Sequence, residues 1–233
     1  MTGPVKVAGD RRVLCLVPAR DEEATIGLTV KSLSAVPAIS EIVVVADGCI
    51  DRTAAEASAA GARVLATQRR VRKGGALDAA IDRVDRPHTF VFVDADTGDT
   101  ASEIALLLGP VLRGDLDLAI GRLPAVGGGG FGWVKTTAGR LIRLASGFRA
   151  LEPLSGQRAI TAEALFACRP LAGGFGLETA MTIDAVRLGF RVGERAVRMT
   201  HRATGRSLAG FVHRGRQGLD IAAAAAPRLL GFR

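Results

Sequence analysis

The first hundred residues repeat one figure: a short, almost wholly apolar run, a polar break, then a segment whose apolar residues recur at helical spacing. The apolar runs are 12–18, 41–46, 62–67 and 89–93. Runs of this length and character read as strands buried on both faces. Strands alternating with helices at such short intervals leave little choice but a parallel sheet between two helical layers. Helices are predicted from Thr25 to Ala35, with Pro37 as the stop; from Thr53, where Glu56 stands at capping-box spacing, to Gly61; and through Ala76, Leu77, Ala80, Ile81 and Val84. The polar breaks that follow the strands converge on one edge of such a sheet, the edge at which ligands bind in open α/β folds.

The fourth run, Thr89-Phe90-Val91-Phe92-Val93, ends on Asp94-Ala95-Asp96. Two carboxylates at that edge supply the hard oxygen ligands that Mg²⁺ or Mn²⁺ takes when it bridges to phosphates. The pair also fits a plain turn and helix start, since Thr100 and Glu103 just beyond have capping-box spacing. Asp47-Gly48 after the second run is either a ligand contact or a turn. Lys73, in the basic stretch Arg69-Arg70-Val71-Arg72-Lys73-Gly74-Gly75, is either a pocket cation or a solvated helix start. No G-x-G-x-x-G follows the first run and no Walker A sequence occurs, which sets aside a dinucleotide fold and a P-loop NTPase.

Taken in order, Val17-Pro18-Ala19-Arg20-Asp21-Glu22-Glu23, the stretch from Val45 to Thr53, Lys73-Gly74-Gly75-Ala76-Leu77 and Asp94-Ala95-Asp96 resemble the successive nucleotide-sugar motifs of family 2 glycosyltransferases. The resemblance spans about residues 12 to 206. It implies an α/β domain of GT-A fold, Rossmann-like, with a mostly parallel central sheet and helices on both faces. It also implies that Pro18, Ala19, Arg20, Glu22 and Asp47 hold the nucleoside of a UDP- or GDP-sugar, and that Lys73 and Gly74 line the nucleotide pocket. Asp94, followed by Ala95, would then approach the ribose, and Asp96 would bind Mg²⁺ or Mn²⁺ on the diphosphate. Two positions depart from the family's habit: Asp21 stands where Asn is frequent, and Ala46-Asp47-Gly48-Cys49 where Asp-Asp-Gly-Ser is frequent.

Leu116 to Ile120 reads as a further strand. The glycine-rich stretch 121–133 is either an active-site loop, with Trp133 as the apolar part of a lid, or a plain surface connection. A basic helix with Lys135, Arg140, Arg143 and Arg149 follows. Leu154-Ser155-Gly156-Gln157-Arg158-Ala159-Ile160 resembles the Ser-Gly-Phe-Arg-Ala segment of polyprenyl-phosphate sugar transferases within family 2, with Gln157 replacing Phe. By that resemblance Arg158 contacts the acceptor or the diphosphate; a structural pair with a carboxylate is the alternative. Gly174 to Thr179 opens a helix with Met181, Ala185 and Leu188 on one face and Gly189 as its stop. That helix is similar to the Gly-Val-Glu-Ile helix of glucosyl-3-phosphoglycerate synthases. Glu178, in its first turn, is either a cap favoured by the helix dipole or the base that deprotonates an acceptor hydroxyl.

After a last strand near Arg191 to Met199, the phosphoglycerate-dependent group places a metal-binding histidine. Resemblance therefore assigns His201 to the metal with Asp96, and Arg202 and Arg206 to the diphosphate or a phosphorylated acceptor, against a purely structural histidine. Leu208, Phe211, Val212, Leu219 and Ala222 then recur at helical spacing, giving an amphipathic helix that packs on the domain or rests on an anionic membrane.

A chain of 233 residues suits one domain, divided here into a nucleotide-sugar half (12–120), an acceptor half (121–206) and a basic C-terminal helix (207–233). The net charge of +8 draws anions. With aromatics at 4% and no tyrosine there is little to stack bases on, so phosphorylated small molecules or a membrane surface are expected ahead of nucleic acid. No apolar run reaches the roughly 18 residues needed to span a bilayer and the N-terminus lacks a signal core, so the expected location is the cytoplasm, with contact to the inner face of the membrane as an option. Cys15, Cys49 and Cys168 have no metal-type spacing and read as reduced thiols. The combined expectation is a metal-dependent glycosyltransferase acting on polyprenyl phosphate or another phosphorylated acceptor. Transfer to 3-phosphoglycerate, or a non-catalytic basic module binding lipid or nucleic acid, are the alternatives.

Overall fold

The computed structural model describes residues 12–124, 131–200 and 208–230. Seven strands form one sheet: β1 (Val13–Ala19), β2 (Glu41–Asp47), β3 (Arg63–Thr67), β4 (Thr89–Phe92), β5 (Leu118–Arg122), β6 (Arg158–Thr161) and β7 (Val192–Ala196), in the order β3-β2-β1-β4-β6-β5-β7. Every neighbouring pair is parallel except those made by β6, which runs against both β4 and β5. The helices are α1 (Ile26–Ser34), α2 (Thr53–Ala59), α3 (Lys73–Ile81), α4 (Ala105–Leu112), α5 (Phe131–Ser146), α6 (Ala162–Ala167), α7 (Leu177–Arg187) and α8 (Leu208–Leu229), with 3₁₀ turns at Gly98–Ile104 and Gly174–Gly176. No helix among the described residues is long and apolar enough to cross a membrane.

The strands carry continuous apolar runs because both faces are covered. Cys15, Val17, Val44, Val91 and Val93 meet Ile26, Val30, Leu33 and Leu107 on one side. Leu14, Leu16, Val45, Phe90 and Phe92 meet Leu77, Ile81, Leu165 and Met181 on the other. Alternate residues of one strand thus feed two cores, as the period of a pleated strand requires. Burial pushes the Cys15 thiol far above its ordinary range. Two smaller clusters, Val134 with Ala138 and Ile221, and Ile142 with Ile183 and Ala225, join α5, α7 and α8.

The α/β sheet and its strand–helix alternation are as expected from the sequence, and several local expectations are corrected. Thr53 does not cap α2; its hydroxyl bonds Asp51 and accepts the Glu22 amide at 2.8 Å. Thr100 and Glu103 do not form a capping box either. Thr100 Oγ1 receives the Thr200 amide at 3.1 Å and Glu103 Oε2 the Arg198 amide at 3.2 Å, so both fasten the segment after β7. In the later turns of α8 the expected apolar stripe is displaced, since Ile221 and Ala225 are buried whereas Leu219 is 72% exposed and Ala222 faces out; the side chains of Leu208, Phe211 and Val212 lie outside the described residues. The antiparallel strand β6 was not anticipated, because four residues beginning with Arg are too short to show alternation.

Candidate active site

The loops after β1 and β2 are laced into one platform at the carboxyl edge of the sheet. Asp21, held at φ 53°, accepts the Ile50 amide at 2.9 Å; Asp51 accepts the Glu23 amide at 3.1 Å; Glu23 accepts the Arg52 amide at 3.0 Å. Pro18 and Ala19 end β1 beneath this lacing, Arg20 projects into solvent and Glu22 is half-buried. Asp47, 6% exposed, turns its Oδ1 to the loop after β3, taking the Val71 amide at 2.7 Å and the Thr67 hydroxyl at 3.2 Å. The two loops can touch only because position 48 is glycine: it has φ 62°, and a Cβ there would lie 2.8 Å from the Arg70 nitrogen.

Lys73 opens α3, and its ammonium stands between two carboxylates, 2.7 Å from Asp94 Oδ1 and 2.8 Å from Glu178 Oε1. Burial works against that charge, but the attraction of Asp94 and Glu178 outweighs it and holds the ammonium above the ordinary lysine range. Gly74 lets the first turn of α3 press on the chain opposite, where a Cβ would overlap the Ala172 carbonyl. Asp94 is gripped from β6's side. Gln157 Nε2 donates to Asp94 Oδ2 at 3.0 Å, Gln157 Oε1 accepts the Asp94 amide at 3.3 Å, and a Cβ on Gly156 would overlap the Asp94 carboxylate. Glu178 is 6% exposed and does not cap α7; its carboxylate is spent on Lys73.

The remaining expected site residues are placed as follows. Ala95 is buried and Asp96 half-buried on the turn that leaves β4. Arg158 is not at a surface open to an acceptor: it is 2% exposed, with Nε donating to the Ser155 carbonyl at 2.9 Å and Nη1 to Thr182 Oγ1 at 3.0 Å. Burial lowers its pKa to about 10, although Glu178 and other anions oppose the shift. The Ser155–Arg158 segment therefore braces Asp94 and α7 from within. Trp133 belongs to helix α5, not to a loop; it is 72% exposed and lines an apolar groove with Val134, Thr137, Gly218, Leu219 and Ile221. His201, Arg202 and Arg206 lie outside the described residues, as do 125–130 of the glycine-rich stretch. Thr200, the last described residue before His201, donates its amide to Thr100, which is four residues along from Asp96.

Gln157 was missed as a site residue, being visible in the sequence only as a departure from a motif. The strand it precedes begins with Arg158 and has only four residues, so no pattern in the sequence marked the position. Among the described residues one group of three potential metal ligands gathers, Asp21, Cys49 and Asp51, but both carboxylates are occupied by backbone amides of the loop platform. Asp96, a hard oxygen donor at the ligand edge, has the chemistry for a divalent ion that keeps most of its coordination for phosphate and water.

The model of glycosyl transferase family 2 matches residues 15–173. A glucosyl-3-phosphoglycerate synthase of Mycolicibacterium paratuberculosis (strain ATCC BAA-968 / K-10) is 34% identical over 204 residues, 77% of this chain and 61% of the relative. The chain thus spans about three-fifths of that relative's length. Crystal structures of the Mycobacterium tuberculosis glucosyl-3-phosphoglycerate synthase superpose closely. The complex with Mn²⁺, UDP and glucosyl-3-phosphoglycerate gives a TM-score of 0.81 at 27% identity, over 96% of this chain and 81% of that one. The complex with Mn²⁺, UDP-glucose and phosphoglyceric acid gives 0.79 at 27% identity over the same shares. With a match over most of its length and a seven-stranded α/β sheet of the GT-A kind, the chain belongs to glycosyl transferase family 2.

Proposed function

We propose that this protein is a metal-dependent glycosyltransferase that moves a sugar from a UDP-sugar to a phosphorylated acceptor. The observation that carries the reading is the Lys73 ammonium bridging Asp94 and Glu178 at the edge where the loops of β1 to β4 converge. In this reading Pro18, Ala19, Arg20, Glu22 and Asp47 form the nucleoside end of the pocket, and Asp94, aimed by Gln157, accepts ribose hydroxyls. Lys73 keeps positive charge beside them. Glu178 takes a hydroxyl of the sugar or acceptor, as hydrogen-bond acceptor or as base. Asp96 and His201 would hold Mg²⁺ or Mn²⁺, which when bound neutralises charge on the departing diphosphate.

The first acceptor is 3-phosphoglycerate, because the Mycobacterium tuberculosis synthase that shares the fold is seen with phosphoglyceric acid in one complex and with glucosyl-3-phosphoglycerate in another. Arg202 and Arg206 would meet its phosphate and carboxylate. One observation favours a second reading, an acceptor phosphate carrying an apolar chain at the inner face of a membrane. The groove between α5 and α8 is lined almost entirely by carbon, and Trp133 and Leu219 are each 72% exposed beside it.

The test is thermal shift with UDP-glucose, GDP-sugars and other nucleotide sugars, each with Mn²⁺, Mg²⁺ or chelator, then transfer assays with 3-phosphoglycerate and polyprenyl phosphate. A ligand that binds only the folded state raises the melting temperature. A metal-dependent rise with UDP-glucose, followed by glucosylation of 3-phosphoglycerate, is expected. Product only with the lipid phosphate would favour the second reading, and no response to any nucleotide sugar would overturn both.

A further inference from the structure

We propose that Asp220, on the C-terminal helix, is a positioning residue for the donor site and acts through Arg72. The proposal rests on the glycosyltransferase reading for its meaning, though not for its test. Arg72 has φ 69° and ψ 154°, a region that essentially only glycine enters. Side chains persist there when surrounding contacts over-determine the backbone, and such sites cluster where geometry serves function. The residue that follows is Lys73. The contact that restrains Arg72 comes from 148 residues away: its Nη2 donates to Asp220 Oδ2 at 2.6 Å.

The same carboxylate also bears on the other partner of Lys73. Gly174, at φ 59°, lies against it so closely that a Cβ would overlap Asp220 and approach Arg72 Nη2 to 3.0 Å. Gly176 lies against the next turn of α8, where a Cβ would overlap the Asp220 carbonyl and the Ala224 methyl. The 3₁₀ turn Gly174–Gly176 runs directly into α7, and Glu178 is its second residue. Asp220 therefore pairs with the residue before Lys73 and packs against the turn before Glu178, and the side chains of Lys73 and Glu178 meet at 2.8 Å. Helix α8 has other anchors, the Asp184–Arg228 pair and the buried Ile221 and Ala225, so removing one carboxylate leaves the helix seated. A displacement of about 1 Å in a catalytic group is enough to cost orders of magnitude in rate, which gives a distant carboxylate leverage.

Asp220→Ala, Arg72→Gly, their double variant and Asp184→Asn as a control are compared by two readouts. One is calorimetric affinity for UDP-glucose with Mn²⁺; the other is the nitrogen and proton resonance of the Lys73 ammonium, which needs no ligand. Asp220→Ala should weaken donor affinity roughly tenfold and shift or broaden the Lys73 resonance, within the range of coupling between residues that share partners. Glycine adopts the Arg72 backbone without support, so Arg72→Gly in the Asp220→Ala background should recover most of both losses. Asp184→Asn, which loosens α8 elsewhere, should leave the Lys73 resonance in place. Failure of the glycine rescue, or an Asp184→Asn effect as large as that of Asp220→Ala, would reduce Asp220 to ordinary helix packing and overturn the proposal. If the unmodified protein binds no nucleotide sugar, the functional reading fails alone, and the Lys73 resonance still decides the positioning role.

Discussion

Helix α7 buries two carboxylates less than two turns apart, and their partners are of opposite kinds. Asp184 meets the Arg228 guanidinium in a two-pronged pair, Nε to Oδ1 at 2.8 Å and Nη2 to Oδ2 at 2.5 Å. Glu178 meets a lysine through one oxygen, and that ammonium is shared with Asp94. A planar guanidinium fork uses both oxygens of a carboxylate and closes the pair on itself. An ammonium is a point charge with three rotatable protons, so it can hold two anions and still turn toward a third. The same helix thus carries a lock, which fastens α8, and, on the proposed reading, a site at which an incoming ligand can exchange partners.

The comparison is broken most directly by neutralising each carboxylate in place. Glu178→Gln should lower turnover by about 10²–10⁴, the usual weight of a positioned acid–base group, and should cost less in urea unfolding than Asp184→Asn because Lys73 keeps Asp94 as a counter-ion. If turnover survives, the shared ammonium marks no active site. Asp184→Asn should do the reverse, costing about 3–5 kcal/mol in urea unfolding because a buried guanidinium loses its partner, while donor affinity persists. Loss of donor binding with intact stability would erase the distinction between lock and site.

Proton titration sharpens the contrast. The Lys73 ammonium is held above its ordinary value of 10.5 by Asp94 and Glu178 against the opposing effect of burial. A folded-state pKa above the unfolded one gives stability that is fully present below 10.5 and lost as pH rises through the folded value. The stability difference between the unmodified protein and Lys73→Met should therefore be flat from about pH 7 to 9 and shrink only at more alkaline pH, as followed by urea unfolding. A difference that already shrinks near neutrality would mean the ammonium is not so held.

The smallest effect is expected at the sheet edge, where Asp117 joins the half-exposed Arg191 across the start of β7. Hydrogen bonding from Arg191 lowers the Asp117 pKa against partial desolvation, so its contribution is present above the ordinary value of 3.8 and lost as pH falls through the depressed one. Arg191→Ala should flatten the acid limb of stability by at most about 1 kcal/mol, since solvent screens such pairs. A larger change would place this fork closer to the Asp184 lock than its exposure suggests.

The first hundred residues were readable from the sequence because the strands there are buried on both faces and announce themselves as apolar runs. Val43, Val44 and Val45 in β2, or Phe90 to Val93 in and after β4, admit no other reading in an alternating chain. Asp47 and Asp94 then follow at the ends of β2 and β4 by position alone, and Lys73 at the start of the helix after β3. What stayed hidden depends on contacts between distant residues: Gln157 on Asp94, Thr53 beneath Glu22, and Asp220 on Arg72. Spacing rules count short intervals, so Thr53 and Thr100 looked like caps when their hydroxyls serve other segments. Arg158 illustrates the converse, a charged residue that any composition rule puts outside and that the α7 face takes in through Thr182.

The reversed strand β6 has a consequence for how this fold diversifies. Because it runs against β4, the chain enters the sheet at the edge where its neighbours leave it, and the excursion from residue 123 to residue 157 begins and ends at the same rim. Helix α5 lies within that excursion and carries Val134, Ala138 and Ile142 into the clusters shared with α7 and α8, so the excursion is tied to the molecule through its own buried residues as well as at its two ends. Its last residues, Gly156 and Gln157, close directly on Asp94, so a change in the excursion bears on that carboxylate. On the proposed reading, insertions and deletions there would bear on the acceptor and would reach the donor pocket through Gln157.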